Sequence, residues 1–383
     1  MKKNRLIVLV SCFSLLILSL FAFILPSGAT LCSAAGDLSQ TSARAMCVVE
    51  MVSGRVLDEK NADMLLPMAS TTKIMTALTA IENCDNLDEF FEISPKSVGI
   101  SGTSIYLREG EYLSVRQLLY GLMLVSGNDA SVAIAERVGG STKDFVDLMN
   151  KTARKIGAYN THFDNPHGLD SKTHYTTAKD LALISSYALK NPTFKEIVTT
   201  KNTKITSQEG KTRYLRNKNK LLFSLDGCIG VKTGFTDDAG RCLVSACEND
   251  NMGVVCVVLN CGPMFEESKT LLTSALEKYC LYDLTEDYNL PTAIPVENGR
   301  SESVKIATKG NYLYPLTADE KTRVRYVYNI NESIQAPADK DTEIGDVQIF
   351  IDNDLHFSEK VYTIENVRRS SIWQNVKQFV DRW

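Results

Sequence analysis

Histidine is scarce in this 383-residue sequence, which contains only four. A serine hydrolase of the Ser-His-Asp type needs a histidine base, and the G-x-S-x-G pattern that often marks its nucleophile is absent. Neither H-E-x-x-H nor C-x-x-C occurs, so we predict no metal site and interpret His162, His167 and His174 as structural or surface residues. The phosphate-binding patterns G-x-G-x-x-G and G-x-x-x-x-G-K-[ST] are also missing. We therefore expect no cofactor.

An excess of positive charge is also missing. The chain has 42 Lys and Arg against 46 Asp and Glu, a formal net charge of −4. Such a balance offers no basic field for a polyanion, so we do not expect a nucleic-acid partner. The apolar fraction of 44% excludes a disordered chain, and the length predicts about two domains, at roughly 100–200 residues each. Cores of that size need no disulfides for stability.

The first 35 residues have the layout of a secretory signal peptide. Lys2, Lys3 and Arg5 precede an apolar run over residues 6–25, and small residues follow at 33–35. The run is long enough to cross a bilayer, so an uncleaved anchor is the alternative. Both interpretations export the remainder of the chain. Without residues 1–35, 39 cations face 46 acids, a net charge of −7.

Hydrophobic periodicity predicts an α+β domain over residues 40–283. A strand hairpin over 45–56 comes first, and strands return over 228–233, 241–246 and 253–259. Between and after them, helical spacing is found over 74–81, 115–123, 143–156, 178–189 and 265–279. Strands flanking a helical region predict an antiparallel sheet packed against helices as a sandwich.

Two further segments follow this domain. Residues 284–365 contain short alternating runs that predict a small all-β domain. Residues 366–383 place apolar side chains, including Trp373 and Trp383, on one helical stripe with a net charge of +3. We predict an amphipathic helix that binds an anionic membrane surface, and packing against the β-domain is the alternative.

Three short motifs occur in one order. They are Ser70-Thr71-Thr72-Lys73 at the start of an apolar helix, Ser126-Gly127-Asn128 between two helices, and Lys232-Thr233-Gly234 at the end of a strand. Each motif alone is weak evidence, because it also occurs by chance on helix faces and in turns. Their common order and their settings together predict one catalytic site.

The spacing of the first motif suits nucleophilic catalysis. Residues three apart share a helix face, so Lys73 can accept the hydroxyl proton of Ser70. A lysine pKa near 7 instead of about 10.4 needs roughly 4–5 kcal/mol of differential destabilisation of the ammonium. Burial and a second cation, for which Lys232 is the candidate, both act in that direction.

The third motif predicts an oxyanion hole and a substrate site. The N–H groups of Ser70 and Phe235 are the expected oxyanion donors. Gly234 removes a side chain where the substrate backbone must approach, and Lys232 and Thr233 are candidates to bind a carboxylate.

These motifs resemble those of the serine-type D-alanyl-D-alanine carboxypeptidases, the low-molecular-weight penicillin-binding proteins. The resemblance covers roughly residues 40–283 and is carried by the segments 67–78, 126–130, 161–169, 174–181 and 226–236. It implies the penicillin-binding/β-lactamase-like fold, followed by the β-domain and the amphipathic tail. The tail would hold the enzyme peripherally on the outer face of the cytoplasmic membrane or in the cell wall.

The resemblance also implies a reaction. The enzyme would remove the terminal D-Ala from peptidoglycan stem pentapeptides through an acyl-enzyme on Ser70, with Lys73 as the base. Ser126 and Asn128 would relay protons and position the substrate, while Lys232 and Thr233 would bind its carboxylate. β-Lactams would acylate the same serine.

Three alternatives remain on the same fold. A class A β-lactamase needs an E-x-x-x-N pattern between the second and third motifs, and neither Glu196 nor Glu209 has an Asn four residues on. A D,D-endopeptidase would use the same site. A non-catalytic wall-binding scaffold would lack the serine or the lysine, and both are present.

Eight cysteines follow the signal segment, at positions 47, 84, 228, 242, 247, 256, 261 and 280. One hairpin register would place Cys242 opposite Cys261 and Cys247 opposite Cys256. Disulfides suit an exported protein, but we favour buried free thiols.

Overall fold

The computed structural model describes residues 41–250 and 252–370. The predicted signal segment and most of the predicted amphipathic helix lie outside these residues. The helices are α1 Lys73–Asn83, α2 Val115–Leu124, α3 Asn128–Gly139, α4 Thr142–Ile156, α5 Ala178–Leu189, α6 Pro192–Thr199, α7 Met264–Lys278 and α8 Ala318–Thr322. Shorter 3-10 turns span Ala69–Thr72, Pro95–Ser97 and Lys220–Phe223.

The strands are β1 Ala45–Glu50, β2 Val56–Lys60, β3 Phe90–Glu92, β4 Tyr112–Ser114, β5 Asn202–Thr206, β6 Thr212–Arg216, β7 Cys228–Thr236, β8 Gly240–Glu248, β9 Gly253–Leu259, β10 Cys280–Asp283, β11 Ala293–Glu297, β12 Ser303–Ala307, β13 Leu313–Leu316, β14 Val324–Ile330, β15 Ile334–Gln335, β16 Glu343–Ile351 and β17 Asp354–Thr363. Five of them form an antiparallel sheet in the order β2-β1-β9-β8-β7. Strand β7 is therefore an edge strand.

Helices cover both faces of the five-stranded sheet. One face packs on the larger apolar cluster, to which α1, α2, α3 and α5 contribute, and the other packs under α7. A central strand that is covered on both faces is buried at consecutive positions. Strand β1 shows this pattern, because all of its residues are buried. Several helix starts follow local capping chemistry. Ser114 forms a capping box with Gln117, and Ser141 and Thr177 cap α4 and α5.

The C-terminal part contains a six-stranded sheet in the order β14-β16-β17-β12-β11-β15. Its core lies around Ile294, Val304, Val347 and Val361. The predicted fold class, an α+β penicillin-binding sandwich with a C-terminal all-β domain, is confirmed. Strand β10 pairs with β13, so hydrogen-bonded structure continues across the predicted boundary at residue 283.

The predicted amphipathic helix does not begin at residue 366. Val367 and Ala338 exchange backbone hydrogen bonds, and Arg369 forms a bridge with Gly299. The side chain of Val367 belongs to the apolar core of the β-domain. Residues 366–370 are therefore extended chain held to the β-domain, because backbone pairing and burial outweigh the helical pattern there. The rest of the segment lies outside the described residues.

The β8–β9 hairpin does not have the register that would pair its cysteines. Cys256 lies opposite Ser245, and Cys247 lies opposite Val254. The observed register differs from the pairing register by two residues, so neither cysteine pair is in direct opposition.

Among the helices within 41–250 and 252–370, none has the length and apolar character of a membrane span. The same ranges contain no group of His, Cys, Asp or Glu side chains arranged to hold a metal ion.

Candidate active site

Ser70 lies in the 3-10 turn that precedes α1. The residue before it, Ala69, has a φ of +48°, which is uncommon for a residue other than glycine. Gly168 packs directly on this turn, and a Cβ atom there would lie 2.0 Å from the carbonyl oxygen of Ala69. Only glycine fits that position, so the neighbouring loop holds the nucleophile turn in its unusual shape.

A chain of hydrogen bonds holds the same turn from the other side. The N–H of Asp164 donates to Nδ1 of His174 over 3.0 Å, which leaves Nε2 as the protonated nitrogen of the neutral ring. Nε2 then contacts Oγ1 of Thr72 at 2.7 Å, and that hydroxyl donates to Ala69 O over 2.7 Å. Burial lowers the pKa of His174 to about 4, which keeps the ring neutral near pH 7. His174 is thus a structural residue.

Lys73 reaches the hydroxyl of Ser70. Its Nζ lies 3.0 Å from Oγ of Ser70, 2.7 Å from Oδ1 of Asn128 and 2.5 Å from the carbonyl oxygen of His167. Two of these partners can only accept, so they use two N–H bonds of a neutral amine. The remaining lone pair then faces the hydroxyl of Ser70. This geometry suits a base that takes the serine proton.

The environment of Lys73 favours the neutral amine. The side chain is fully buried, and burial is the main cause that holds its pKa well below the usual 10.5. The cations of Lys232 and Lys218 lower the pKa further, while Asp129 opposes them. Lys218, which no sequence motif marks, therefore acts in the same direction as Lys232.

The second motif brings a hydroxyl and an amide to the site. Ser126 has a φ of +70°, and its Oγ is buried with no hydrogen-bond partner among the described residues. A buried hydroxyl without a partner costs free energy. Asn128 begins α3, and its Nδ2 donates to Ser101 O over 2.6 Å, which turns Oδ1 toward Lys73.

The carboxylate of Asp129 holds the loop on that side. It accepts hydrogen bonds from the backbone N–H groups of Ile105 and Leu107 and from the hydroxyl of Ser104. From the opposite side Arg213, paired with Glu111, donates to the carbonyl oxygen of Ile105. The loop over residues 101–107 is therefore fixed from two directions.

The third motif lies in the middle of β7 and not at its end, which corrects the expectation from the sequence. The strand continues to Thr236 because pairing with β8 continues to Gly240. A Cβ atom on Gly234 would lie 3.1 Å from the backbone nitrogen of Ser70. The strand backbone thus lies directly against the nucleophile turn.

Lys232 is almost completely buried, and its Nζ donates to Thr233 O over 2.9 Å. Burial and the nearby Lys218 lower its pKa to about 7. In the absence of an anion, this lysine is therefore poised between its charged and neutral forms near neutral pH. A carboxylate bound beside it would favour the ammonium.

A cavity of about 300 Å³ opens above these groups. Of the predicted site residues, Ser70, Ser126, Thr233, Gly234 and Phe235 line it. Lys73, Asn128 and Lys232 are buried behind them. The structure thus brings all eight predicted site residues to one place.

Four lining residues were missed by sequence reasoning: Thr103, Lys218, Met264 and Phe265. In the structure Lys218 lies between two buried asparagines, Asn217 and Asn219, and no sequence motif marks it. The others come from a loop and a helix start that are distant in the sequence, and no motif marks them.

A serine hydroxyl 3.0 Å from the amine of a buried lysine, beside an open cavity on this sheet-and-helix sandwich, is typical of the serine acyl-transfer hydrolases of the penicillin-binding fold. Residues 32–262 match the family model described as D-alanyl-D-alanine carboxypeptidase, and residues 283–369 match that of the penicillin-binding protein 5 C-terminal domain. The chain belongs to the D-alanyl-D-alanine carboxypeptidase family.

Individual relatives agree over nearly the full length. The chain is 29% identical to D-alanyl-D-alanine carboxypeptidase DacF of Bacillus subtilis, over 89% of this chain and 90% of the relative. It is 30% identical to DacA of Escherichia coli, over 89% and 87%. Penicillin-binding protein 5 from Haemophilus influenzae has a solved structure that superposes with a TM-score of 0.73 at 28% identity, covering 86% of this chain and 98% of that one. The predicted activity, a serine D-Ala-D-Ala carboxypeptidase of peptidoglycan metabolism, is confirmed by the family match.

Proposed function

We propose that Ser70 is the nucleophile that attacks the peptide bond between the two terminal D-Ala residues of a peptidoglycan stem pentapeptide. The terminal D-Ala leaves, and water then hydrolyses the acyl-enzyme. The observation that carries this assignment is the 3.0 Å contact between Ser70 Oγ and Nζ of the fully buried Lys73. Lys73 accepts the serine proton because two acceptors already hold its N–H bonds.

Ser126 relays protons in this mechanism. Its unpartnered hydroxyl lines the same cavity as Ser70, so it can pass a proton toward the departing amine. Asn128 positions Lys73 and, through the loop over 101–107, the wall of the cavity.

The tetrahedral intermediate is stabilised by the N–H groups of Ser70 and Phe235. The close packing of Gly234 on the Ser70 nitrogen supports this assignment, because it brings the strand backbone and the nucleophile turn to the same point. The terminal carboxylate of the substrate is bound by Lys232 and Thr233, and Lys218 on the cavity wall adds a favourable charge. A β-lactam carries an acyl group and a carboxylate in a related arrangement and acylates the same serine.

Two measurements test the assignment. Wild-type protein should be labelled by fluorescent penicillin and should release D-Ala from a pentapeptide ending in D-Ala-D-Ala, and Ser70→Ala should abolish both. The matched control is Ser224→Ala, which changes an exposed serine directly after the 3-10 turn Lys220–Phe223. This variant should retain both activities. Release of D-Ala by Ser70→Ala would refute the proposal. Rapid loss of the penicillin label with turnover of the drug would indicate a β-lactamase.

We further propose that the protein is exported by its N-terminal segment and held peripherally at the membrane by residues 371–383. On a helix, the apolar residues of that segment would share one stripe: Ile372, Trp373, Val376, Phe379, Val380 and Trp383. Deleting residues 371–383 removes the stripe but keeps Val367 in the core of the β-domain. In a chain that also lacks residues 1–35, this deletion should move the protein from the membrane fraction to the soluble fraction. Persistent membrane association would exclude the tail as the anchor.

A further inference from the structure

Two cysteines face each other at one end of the β7–β8 pair. Cys228 lies directly opposite Cys247 in the strand register, beside a register shift between Cys228 and Gly230. The N–H of Glu248 donates to the carbonyl oxygen of Gly227 over 2.9 Å, so the adjacent 227/248 pair is the hydrogen-bonded one. Cys228 and Cys247 therefore occupy a non-hydrogen-bonded position, where opposing Cα atoms are about 4.5 Å apart. Disulfides span Cα separations of about 4.4–6.8 Å.

Both side chains point to the same face of the sheet. Cys228 and Cys247 belong to the apolar layer under α7. Each thiol makes a weak hydrogen bond to a backbone carbonyl, Cys247 to Asp226 at 3.3 Å and Cys228 to Gly230 at 3.6 Å. Losing these weak contacts on oxidation costs little.

The two thiols differ in access. Cys247 is 2% exposed, whereas Cys228 is only partly buried, so a reagent from solvent meets Cys228 first. Among the strand pairs of residues 41–250 and 252–370, Cys228 and Cys247 are the two cysteines that lie directly opposite each other. Cys242, by contrast, lies opposite Gly234 and packs on the other face of the sheet.

We propose that Cys228 and Cys247 are an oxidisable pair that takes a low-molecular-weight disulfide as its oxidant. The Cys228 thiolate attacks one sulfur of the reagent and displaces one thiolate. The Cys247 thiolate then attacks the Cys228 sulfur of this mixed disulfide and displaces the second. Two protein thiols become one disulfide, the reagent becomes two thiols, and the two protons pass to the departing thiolates.

The bond ties strand β7 to its neighbour in the sheet. Strand β7 carries Lys232, Thr233 and Gly234, and among the described strands it pairs with β8 alone. The cross-link closes the loop over residues 228–247 and restrains its unfolded ensemble. Burial raises the pKa of both thiols, that of Cys247 to about 11, so closure should accelerate as the pH rises above neutral.

The experiment uses the purified protein and oxidised glutathione. After incubation, free thiols are alkylated, and the protein is digested with trypsin and a glutamate-specific protease. We expect a disulfide-linked pair of the peptides Leu221–Lys232 and Cys242–Glu248, abolished by reductant. Linkage should raise the midpoint of thermal unfolding by about 5–10 °C relative to the reduced protein.

Matched variants identify the sulfur atoms. Cys228→Ser and Cys247→Ser should each lose the linked peptides and the thermal shift, whereas Cys242→Ser should keep both. Because Cys228 is only partly buried, its variant remains informative if Cys247→Ser fails to fold. Two results, in protein that still binds penicillin, would overturn the proposal. One is glutathione attached to Cys228 with no disulfide formed to Cys247, and the other is a linked peptide pair that requires Cys242.

Discussion

Oδ1 of Asn128 accepts a hydrogen bond from Nζ of Lys73 over 2.7 Å, and both side chains are buried. An amide at this position holds the amine without adding a charge. A carboxylate in its place would stabilise the ammonium and so remove the base.

We therefore predict that Asn128→Asp slows acylation by penicillin at pH 7 by roughly 10- to 1000-fold, since an adjacent opposite charge shifts a pKa by about 1–3 units. The rate should recover as the pH is raised, because deprotonation of Lys73 then occurs at higher pH. Asn128→Ala removes the hydrogen bond without adding charge and should lower the rate without the alkaline recovery. The measurement is the acylation rate between pH 5 and 10, and identical pH profiles for the two variants would contradict this role.

Gly168 should tolerate no side chain. Gly168→Ala combines a φ of +87° with a Cβ atom 2.0 Å from Ala69 O. Gly210 has a similar φ of +84° but open space around it, so Gly210→Ala reports the backbone strain alone. We expect Gly210→Ala to lower the free energy of unfolding by about 1 kcal/mol, and Gly168→Ala to lower it by at least about 3 kcal/mol or prevent folding. Urea unfolding measures both, and equal losses would show that the close contact is relieved without cost.

Stability should depend on pH through His174, which is buried, and His167, which is partly buried. Burial lowers the pKa values of His167 and His174 to about 4, below the ordinary 6.5. As the pH falls below 6.5, the unfolded chain binds protons that the native protein rejects until about pH 4. The stabilisation is therefore complete above pH 6.5 and is lost between pH 6.5 and 4, by about 3 kcal/mol for each histidine.

Urea unfolding of His174→Gln at several pH values in that window checks this prediction. The variant should show a shallower fall in stability with pH than the wild type. His356→Gln, at an exposed position in the β-domain, is the matched control and should keep the wild-type slope. A wild-type slope in His174→Gln would mean that His174 does not contribute to the pH dependence.

Arg55 connects the domain over residues 40–283 to the β-domain that follows it. Its guanidinium pairs with Glu320 at 2.5 Å, donates to Pro315 O, and lies over the rings of Tyr279 and Tyr314. Both charged side chains are about 15% exposed, which limits screening by solvent. We expect Arg55→Ala to lower stability by about 1–3 kcal/mol and to broaden or split the thermal transition.

The control for Arg55 is Arg323→Ala, which breaks two exposed pairs, one with Asp319 and one with Asp352. That change should cost less than about 1 kcal/mol and leave one transition. Calorimetry of both variants distinguishes the cases. Similar behaviour of the two variants would show that Arg55 does not couple the β-domain to the preceding domain.

Local patterns were enough to predict several elements and most of the site. Ser114 and Thr177 mark helix starts because their side chains cap nearby N–H groups, an interaction within one turn. Ser70 and Lys73 meet because they are three residues apart. The helical stripe beyond residue 365, in contrast, predicted a helix where Val367 and Arg369 are paired with distant chain. Such pairing depends on partners 29 and 70 residues away, which periodicity does not report.

What the sequence determined by itself is the chemistry: a serine, a lysine three residues on, and two further motifs, with few histidines and no metal or phosphate pattern to offer another mechanism. Only the tertiary structure determined the pKa values of the side chains that carry this chemistry. Lys73 loses its proton readily because α1 is buried and because Lys232 and Lys218 come from distant strands and loops. The fit of Gly168 on Ala69 and the opposition of Cys228 to Cys247 likewise depend on how separate segments pack and pair, since both are contacts between parts of the chain that no local pattern relates.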